Sequence, residues 1–241
     1  MAILSVVIPC YNEAGNLPIL ISAFEEIVAK RKDIKILLVD NGSTDNSSAV
    51  FQEELSKNNR QENFELVAIP KNQGYGWGIL VGLAAADTPI LAWTHADMQT
   101  PPNDILVALD AFQTVKDGDV VIKGKRKNRR FLEAFFTWGM EVLASFALGT
   151  KLNDINAQPK MFSRAFYERI YKNAPHDFSL DLYWLYHAKK HSTIKTIPVY
   201  FNKRLHGEAK GGGSFKTRIK LIKRTFKYIF ELRTKLKKEN P

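Results

Sequence analysis

The sequence predicts an α/β protein, a mostly parallel sheet with helices on both faces, followed by a basic amphipathic C-terminal helix. Three observations predict it. Short apolar runs alternate with helix-length stretches through the first half of the chain, the pattern of βαβ units. Each run stops abruptly at polar or glycine-rich residues, so reactive groups collect at strand ends. The segment 215–241 carries ten Lys/Arg against Glu231 and Glu239, which is +8 of the formal net charge of +10.

Composition sets the outer bounds. A chain of 241 residues, 45% of them hydrophobic, can bury one good core. The expected division is a domain over 1–214 and a tail over 215–241. A single cysteine, Cys10, excludes an internal disulfide framework and fits a reducing compartment. Met1 leads directly into an apolar strand without a basic n-region, so no signal peptide is expected. No apolar run is long enough to span a bilayer; the nearest, Phe131 to Leu148, carries Glu133 and Glu141. The expected location is cytoplasmic.

The elements follow in order. Leu4 to Pro9 reads as a buried strand, and the loop Cys10 to Gly15 precedes a helix from about Asn16 to Lys30. Ile34 to Val39 is a second strand, ending in the polar turn Asp40-Asn41-Gly42-Ser43-Thr44-Asp45 before a helix over roughly Asn46 to Asn58. Phe64 to Ile69 is a third. After it, Pro70-Lys71-Asn72-Gln73-Gly74-Tyr75-Gly76-Trp77-Gly78 reads as a loop and Ile79 to Ala86 as a helix. The glycines lack the dinucleotide-fingerprint spacing, and no P-loop is present. A fourth strand, Pro89 to Trp93, is followed by a helix near Asn103 to Thr114 and a strand at Asp119 to Lys123.

The stretch Ala92 to Pro102 organises the rest. An apolar strand runs into Thr94-His95-Ala96-Asp97-Met98-Gln99, and Pro101-Pro102 prevents a regular continuation. Asp97 and Gln99 thus sit just past a strand's C-terminal end, where ligands bind in open α/β sheets. Hard oxygen ligands there suit Mg²⁺ or Mn²⁺, which need only one or two carboxylates plus substrate phosphates. A solvated turn capped at Asn103 is the competing reading. Tyr11 and Glu13, Asp40 and Asn41, and Lys71 with the glycines end the other three strands. Four such clusters on one sheet edge are what a nucleotide site requires.

Taken together, VVIPCYNE (6–13), LLVDNGSTD (37–45), NQGYGWG (72–78) and HADMQTPP (95–102) resemble family 2 inverting glycosyltransferases of the GT-A fold. The nearest branch is the dolichol-phosphate-mannose-synthase-like enzymes, whose mobile loop is similar to RLHGEAKGGGS (204–214). The resemblance implies that Pro9, Tyr11 and Glu13 line a nucleoside pocket, with Asp40 beside base or ribose. It implies that Asp97 and Gln99 hold the metal, and that Arg204, Lys210 and Ser214 close on the sugar diphosphate. Two positions depart from the branch: His95 replaces the first Asp of Asp-x-Asp, and Asn41 the second of an Asp-Asp pair. His95 is then a softer metal ligand, a hydrogen-bond donor to phosphate, or a structural replacement. Gln158 and Lys160, in LNDINAQPK (152–160), fall in the acceptor loop. Asp154 in the same loop is either a catalytic base or an exposed loop carboxylate, and Lys160 is a candidate for an acceptor phosphate. Asp181 matches an acidic residue of the family's F-x-x-E-L segment and is a second catalytic candidate.

The implied activity moves a hexose from a nucleotide sugar to a membrane-held acceptor, first of all a polyprenyl phosphate. A sugar hydroxyl of a lipid-linked glycan or polysaccharide precursor is the alternative, and a non-catalytic nucleotide-sugar-binding protein a third reading. Lys123, Lys125, Arg126, Lys127, Arg129 and Arg130 abut an aromatic-rich helix. In the tail, Phe215, Ile219, Ile222, Phe226 and Ile229 share one helical face among Lys and Arg. Segments 123–138 and 215–238 therefore suit peripheral attachment to a membrane surface, or packing on the protein's own body or a partner. Nucleic-acid binding is not expected, because no base-reading module accompanies the charge.

Overall fold

The computed structural model describes residues 1–57, 60–115, 119–128, 131–202 and 215–239, with backbone alone for 61, 131–136, 215–222 and 237–239. The elements are β1 (Leu4–Cys10), α1 (Leu17–Lys30), β2 (Ile34–Asn41), α2 (Ser47–Leu55), β3 (Phe64–Ile69), α3 (Tyr75–Ala85), β4 (Ile90–Trp93), α4 (Asp104–Gln113), β5 (Val120–Lys127), α5 (Phe131–Leu148), β6 (Lys160–Ser163), α6 (Arg164–Ile170), α7 (Leu180–His191), β7 (Thr193–Tyr200) and α8 (Phe215–Glu239). The sheet has seven strands in the order β3-β2-β1-β4-β6-β5-β7. β3, β2, β1 and β4 pair in parallel, β6 runs antiparallel to both its neighbours, and β7 is parallel to β5.

Strand periodicity divides the apolar residues between two cores. On β1, Leu4, Val6 and Ile8 face one core while Val7 faces the other; on β2, Ile36 and Leu38 oppose Leu37 and Val39. The first core is closed by α1, whose Leu17, Leu20, Ile21, Phe24, Ile27 and Val28 recur at helical spacing, together with α2 and α4. The second is closed by α3, α5, α6, α7 and part of α8. Helices therefore cover both faces, as the strand–helix alternation predicts.

Several boundaries differ from expectation, each for a physical reason. β2 runs on through Asp40 and Asn41, which pair with Ala68 and Ile69 of β3. β5 extends to Lys127 because β7 accompanies it, Lys123 opposite Thr196 and Lys127 opposite Tyr200. The basic segment 123–127 is thus strand rather than loop, and Lys123 is buried, so it contributes nothing to a surface patch. α3 begins at Tyr75, four residues early, so Gly76 and Gly78 are helical. β6 has only four residues, too few for an alternating pattern to mark it. β7 contains Pro198, which weakens a strand reading, but β7 is an edge strand where proline is tolerated. Among the described residues, no helix is long and apolar enough to cross a membrane.

Glycine permits the tightest helix–sheet approach. A Cβ on Gly82 of α3 would lie 2.4 Å from Val7 Cγ1 and 2.7 Å from Val39 Cγ2. Gly82→Ala improves helix propensity by roughly 1 kcal/mol, yet overpacking of this kind costs about 1–3 kcal/mol. The expected outcome is a lower urea midpoint with an unchanged slope; an unchanged or higher midpoint would show that α3 can shift away from the sheet.

Candidate active site

The polar edge forms where β1, β2 and β4 end. After β1 the chain turns at Asn12, whose φ is 55°. Asn12 Oδ1 accepts from Thr44 N at 2.7 Å and its Nδ2 donates to Thr44 Oγ1 at 3.1 Å. Asn12 N donates to Ser43 Oγ at 3.1 Å, and Glu13 N to Ser47 Oγ at 3.0 Å. The loops after β1 and β2 are thus laced into one platform carrying Pro9, Tyr11 and Glu13, all half-buried. Asp40 is buried and occupied: Oδ1 accepts from Ser43 N at 3.0 Å and Oδ2 from the Ser48 hydroxyl at 2.6 Å. Asn41 Nδ2 donates to the Gly74 carbonyl at 2.9 Å, while its buried Oδ1 finds no partner among the described residues. Lys71 is exposed.

The glycines at this edge serve packing. Gly74, with φ of 123°, would direct a Cβ to 2.3 Å from His176 O, and one on Gly76 would lie 2.6 Å from Pro175 O. The Trp77 N–H donates to His176 O at 2.9 Å. The loop 174–179 is therefore clamped onto the first turn of α3, and Gly74 reaches the site's rim through that clamp.

β4 delivers the loop that the sequence puts at the centre. Thr94 N donates to Val7 O at 3.1 Å, extending the β1–β4 pairing by one residue. Asp97 is 8% exposed, and its Oδ1 accepts from Gln99 N at 3.1 Å across Met98, whose φ is 57°. Asn202 N donates to Gln99 O at 2.9 Å, fixing the loop to the end of β7. His95 is half-buried beside the Tyr75 ring, with centroids 5.9 Å apart. Among the described residues, no three His, Cys, Asp or Glu gather at one point. The donor set is one carboxylate, one amide and a neighbouring imidazole. That fits a hard divalent ion carried mainly by a ligand's phosphates, and it does not fit an all-protein metal cage. Asp97 and Gln99 are the residues that would hold such an ion.

Beneath this loop lies a buried polar network. Lys160, at the start of β6 opposite Trp93, is fully buried and pairs with Asp181 of α7. Its Nζ stands 5.3 Å from the Trp93 ring centroid and 5.7 Å from a ring of Trp184. Gln158 Nε2 donates to Asp181 Oδ1 at 3.1 Å and to the Tyr75 hydroxyl at 3.4 Å. Burial pulls the Lys160 ammonium below its ordinary pKa, opposed by the Asp181 carboxylate, and burial lifts the Tyr75 phenol well above its own. The expectation that Gln158 and Lys160 face an acceptor meets a different arrangement. Both are fully enclosed, and the amide N–H groups of one and the charge of the other are directed at Asp181 and Tyr75. Asp181 is itself 3% exposed.

Asp154 is likewise no exposed loop carboxylate. It is 8% exposed, with φ of 49°. Its Oδ2 accepts from Arg126 N and its Oδ1 from Arg126 Nε, both at 2.6 Å. Burial alone would raise its pKa, but the Arg126 guanidinium and backbone N–H outweigh burial and hold it below the ordinary value. Lys123 lies nearby, donating to Gly124 O and Asn153 O at 3.1 Å, and burial lowers it to about 8. Arg126 and Tyr75 are partners of the candidate residues that the sequence does not single out. Arg126 was lost within a basic cluster and Tyr75 within a glycine-rich run. Arg204, Lys210 and Ser214 lie outside the described residues.

The polar edge at β1, β2 and β4 thus belongs to a seven-stranded α/β sheet with one antiparallel strand. The family model described as Glycosyl transferase family 2 matches residues 5–177. The chain belongs to that family. It is 35% identical over 131 residues to an undecaprenyl-phosphate 4-deoxy-4-formamido-L-arabinose transferase from Proteus mirabilis, covering 52% of this chain and 37% of that enzyme. The chain thus spans well under half the length of that relative. Among solved structures it resembles a mannosyltransferase from Pyrobaculum calidifontis in complex with GDP-Man and Mn²⁺, with TM-score 0.63 at 19% identity over 85% of this chain and 58% of that one. It also resembles the Mycobacterium tuberculosis glucosyl-3-phosphoglycerate synthase bound to Mn²⁺, UDP and glucosyl-3-phosphoglycerate, with TM-score 0.63 at 16% identity over 86% of this chain and 73% of that one.

The enclosed pair makes an energetic prediction. Removing one partner leaves an uncompensated buried charge, so Lys160→Met or Asp181→Leu alone should each cost about 3–5 kcal/mol. The double variant Lys160→Met/Asp181→Leu should recover most of that loss. Urea denaturation of all four proteins measures the coupling; additive losses would mean the two charges are independently solvated.

Proposed function

We propose that this protein is an inverting transferase that moves a hexose from a nucleoside-diphosphate sugar to a membrane-held polyprenyl phosphate. The platform of Pro9, Tyr11 and Glu13, with Asp40, Asn41, Lys71 and Gly74 along its rim, receives the nucleoside. The diphosphate lies toward Asp97 and His95, and the resemblance of 204–214 to the branch's loop assigns Arg204, Lys210 and Ser214 to it as well. Asp97 and Gln99 would hold Mg²⁺ or Mn²⁺ there, and such an ion would counter the charge that builds on the departing β-phosphate. Family membership supports the class of reaction, and the Mn²⁺ in the two structural neighbours supports the metal.

The observation that carries the choice of acceptor is the state of the two candidate bases. A hydroxyl nucleophile needs a general base within hydrogen-bond reach. Asp154 is tied to Arg126 and Asp181 to Lys160, so each would have to leave an ion pair to serve. A phosphate oxygen is already anionic at neutral pH. It attacks the anomeric carbon directly, the bond to the β-phosphate breaks, and the nucleoside diphosphate leaves with inversion. The name of the Proteus relative, an undecaprenyl-phosphate transferase, supports the same acceptor class.

Access to a lipid acceptor fits peripheral attachment on the cytoplasmic side. Trp138, Val142 and Phe146 recur every four residues along α5 and are 59%, 48% and 86% exposed. α8 adds exposed Phe226 and Phe230 beside Lys223, Arg224 and Lys227. Aromatic side chains next to cations suit the interface of an anionic membrane.

The reading is tested by thermal shift with UDP- and GDP-sugars, with and without Mn²⁺, followed by transfer to undecaprenyl phosphate. One nucleotide class should stabilise the fold by about 2.7 kcal/mol at a hundredfold excess over its Kd, and more with Mn²⁺. Asp97→Ala should lower turnover at least about a hundredfold. Near-normal turnover would remove Asp97 from the site, and transfer only to a sugar hydroxyl would replace the phosphate acceptor. Trp138→Ser/Phe146→Ser should weaken sedimentation with phosphatidylglycerol vesicles at unchanged Tm. Undiminished sedimentation would reject α5 as the attachment face.

A further inference from the structure

A column of stacked groups runs from the tail helix to the donor site. The Arg224 guanidinium of α8 lies over the Phe178 ring at 5.3 Å from its centroid. Phe178 stacks on Tyr75 at 4.8 Å with an interplanar angle of 8°, and Tyr75 stacks on His95 at 5.9 Å and 29°. Each member is held from another direction. The Phe178 loop is pinned to α3 by the Trp77 N–H to His176 O hydrogen bond and by the close approach at Gly74 and Gly76. The Tyr75 hydroxyl accepts from Gln158, which is itself bonded to Asp181. Arg224 belongs to a helix that buries Ile229 and Leu232 in the core shared by α5 and α7.

We infer that Tyr75, Phe178 and Arg224 are positioning residues that set the His95 ring for the donor's diphosphate, making α8 a working part of the donor site. The inference rests on the sugar-nucleotide reading of that site. An imidazole has aromatic faces that a neighbouring ring can hold. Tyr75 supplies that surface, and it is shared between His95 and Phe178. The stack makes donor binding depend on how α8 is seated, although no residue of α8 with a described side chain lies in the Asp97 loop.

The test uses the full chain, with Arg224→Ala, Phe178→Leu and the ring-preserving Phe178→Tyr, each in the native and His95→Asn backgrounds. Two readouts are taken: the His95 imidazole chemical shift at one alkaline pH, assigned through His95→Asn, and the Kd for UDP and for GDP with Mn²⁺. Arg224→Ala and Phe178→Leu should move the His95 signal and weaken nucleotide binding roughly threefold to tenfold, the scale of a ring or cation–π contact. Phe178→Tyr should restore both. In the His95→Asn background the same substitutions should leave Kd unchanged. An unmoved His95 signal, or an equal loss of affinity in both backgrounds, overturns the inference, the second because the residues then act through general stability. If the native protein binds neither nucleotide, the sugar-nucleotide reading fails and takes the column's purpose with it. An unmoved signal with intact nucleotide binding rejects the column alone.

Discussion

An ammonium with no exposed surface has to be answered inside the protein, and the Lys160–Asp181 pair is where this fold meets that demand. Taking either charge out of water costs several kcal/mol, which the partner offsets only while both are held in place. Here that requires β6, which carries Lys160, to stay in register beside β4, and α7 to begin where Asp181 can reach it. Trp93 and Trp184 enclose the ammonium, and Gln158 extends the pairing to the Tyr75 hydroxyl. One buried charge thus ties the antiparallel strand, two helices and the floor of the candidate site together.

The same accounting applies to the carboxylates around the candidate site. Asp40 and Asp154 each have both carboxylate oxygens directed at named donors within the fold, and Asp181 has its Oδ1 directed at Gln158 and Lys160. Near the β4 edge stand Asp97, whose Oδ1 accepts from Gln99 N, the half-buried His95, and the platform of the β1 and β2 loops. A site built this way has a firm scaffold around a short list of reactive groups. That matches a reaction in which leaving-group charge has to be stabilised and the nucleophile arrives already ionised.

The tail helix joins both themes. Its sequence reads as a basic amphipathic segment suited to a membrane surface, and it does keep Phe226 and Phe230 exposed. Yet Ile229 and Leu232 are as buried as any strand residue, and Tyr228 lies close enough to Asp177 for that carboxylate, after burial, to raise its phenol further. A helix can lie on a membrane through one stripe and on its own protein through another.

The sequence by itself determined the fold class, the parallel half of the sheet and the edge where the site lies. These follow from strand periodicity and from polar residues at strand ends, which are local in the chain. It identified family membership through VVIPCYNE, LLVDNGSTD and HADMQTPP, which lie within the matched residues 5–177. It also put Asp97 and Gln99 just after β4. Tertiary structure alone decided which carboxylates are paired. Asp154 meets Arg126 across 28 residues and Asp181 meets Lys160 across 21, separations for which a sequence offers no spacing rule. It alone explained Gly74 and Gly76 as packing residues that admit the backbone of the loop 174–179, and Gly78 as one that admits the Asn41 side chain. It alone brought Arg224 to Phe178, since a cation and a ring 46 residues apart meet only when α8 folds back onto the body. Local pattern fixes elements; the closure of charges and rings between them needs the whole chain.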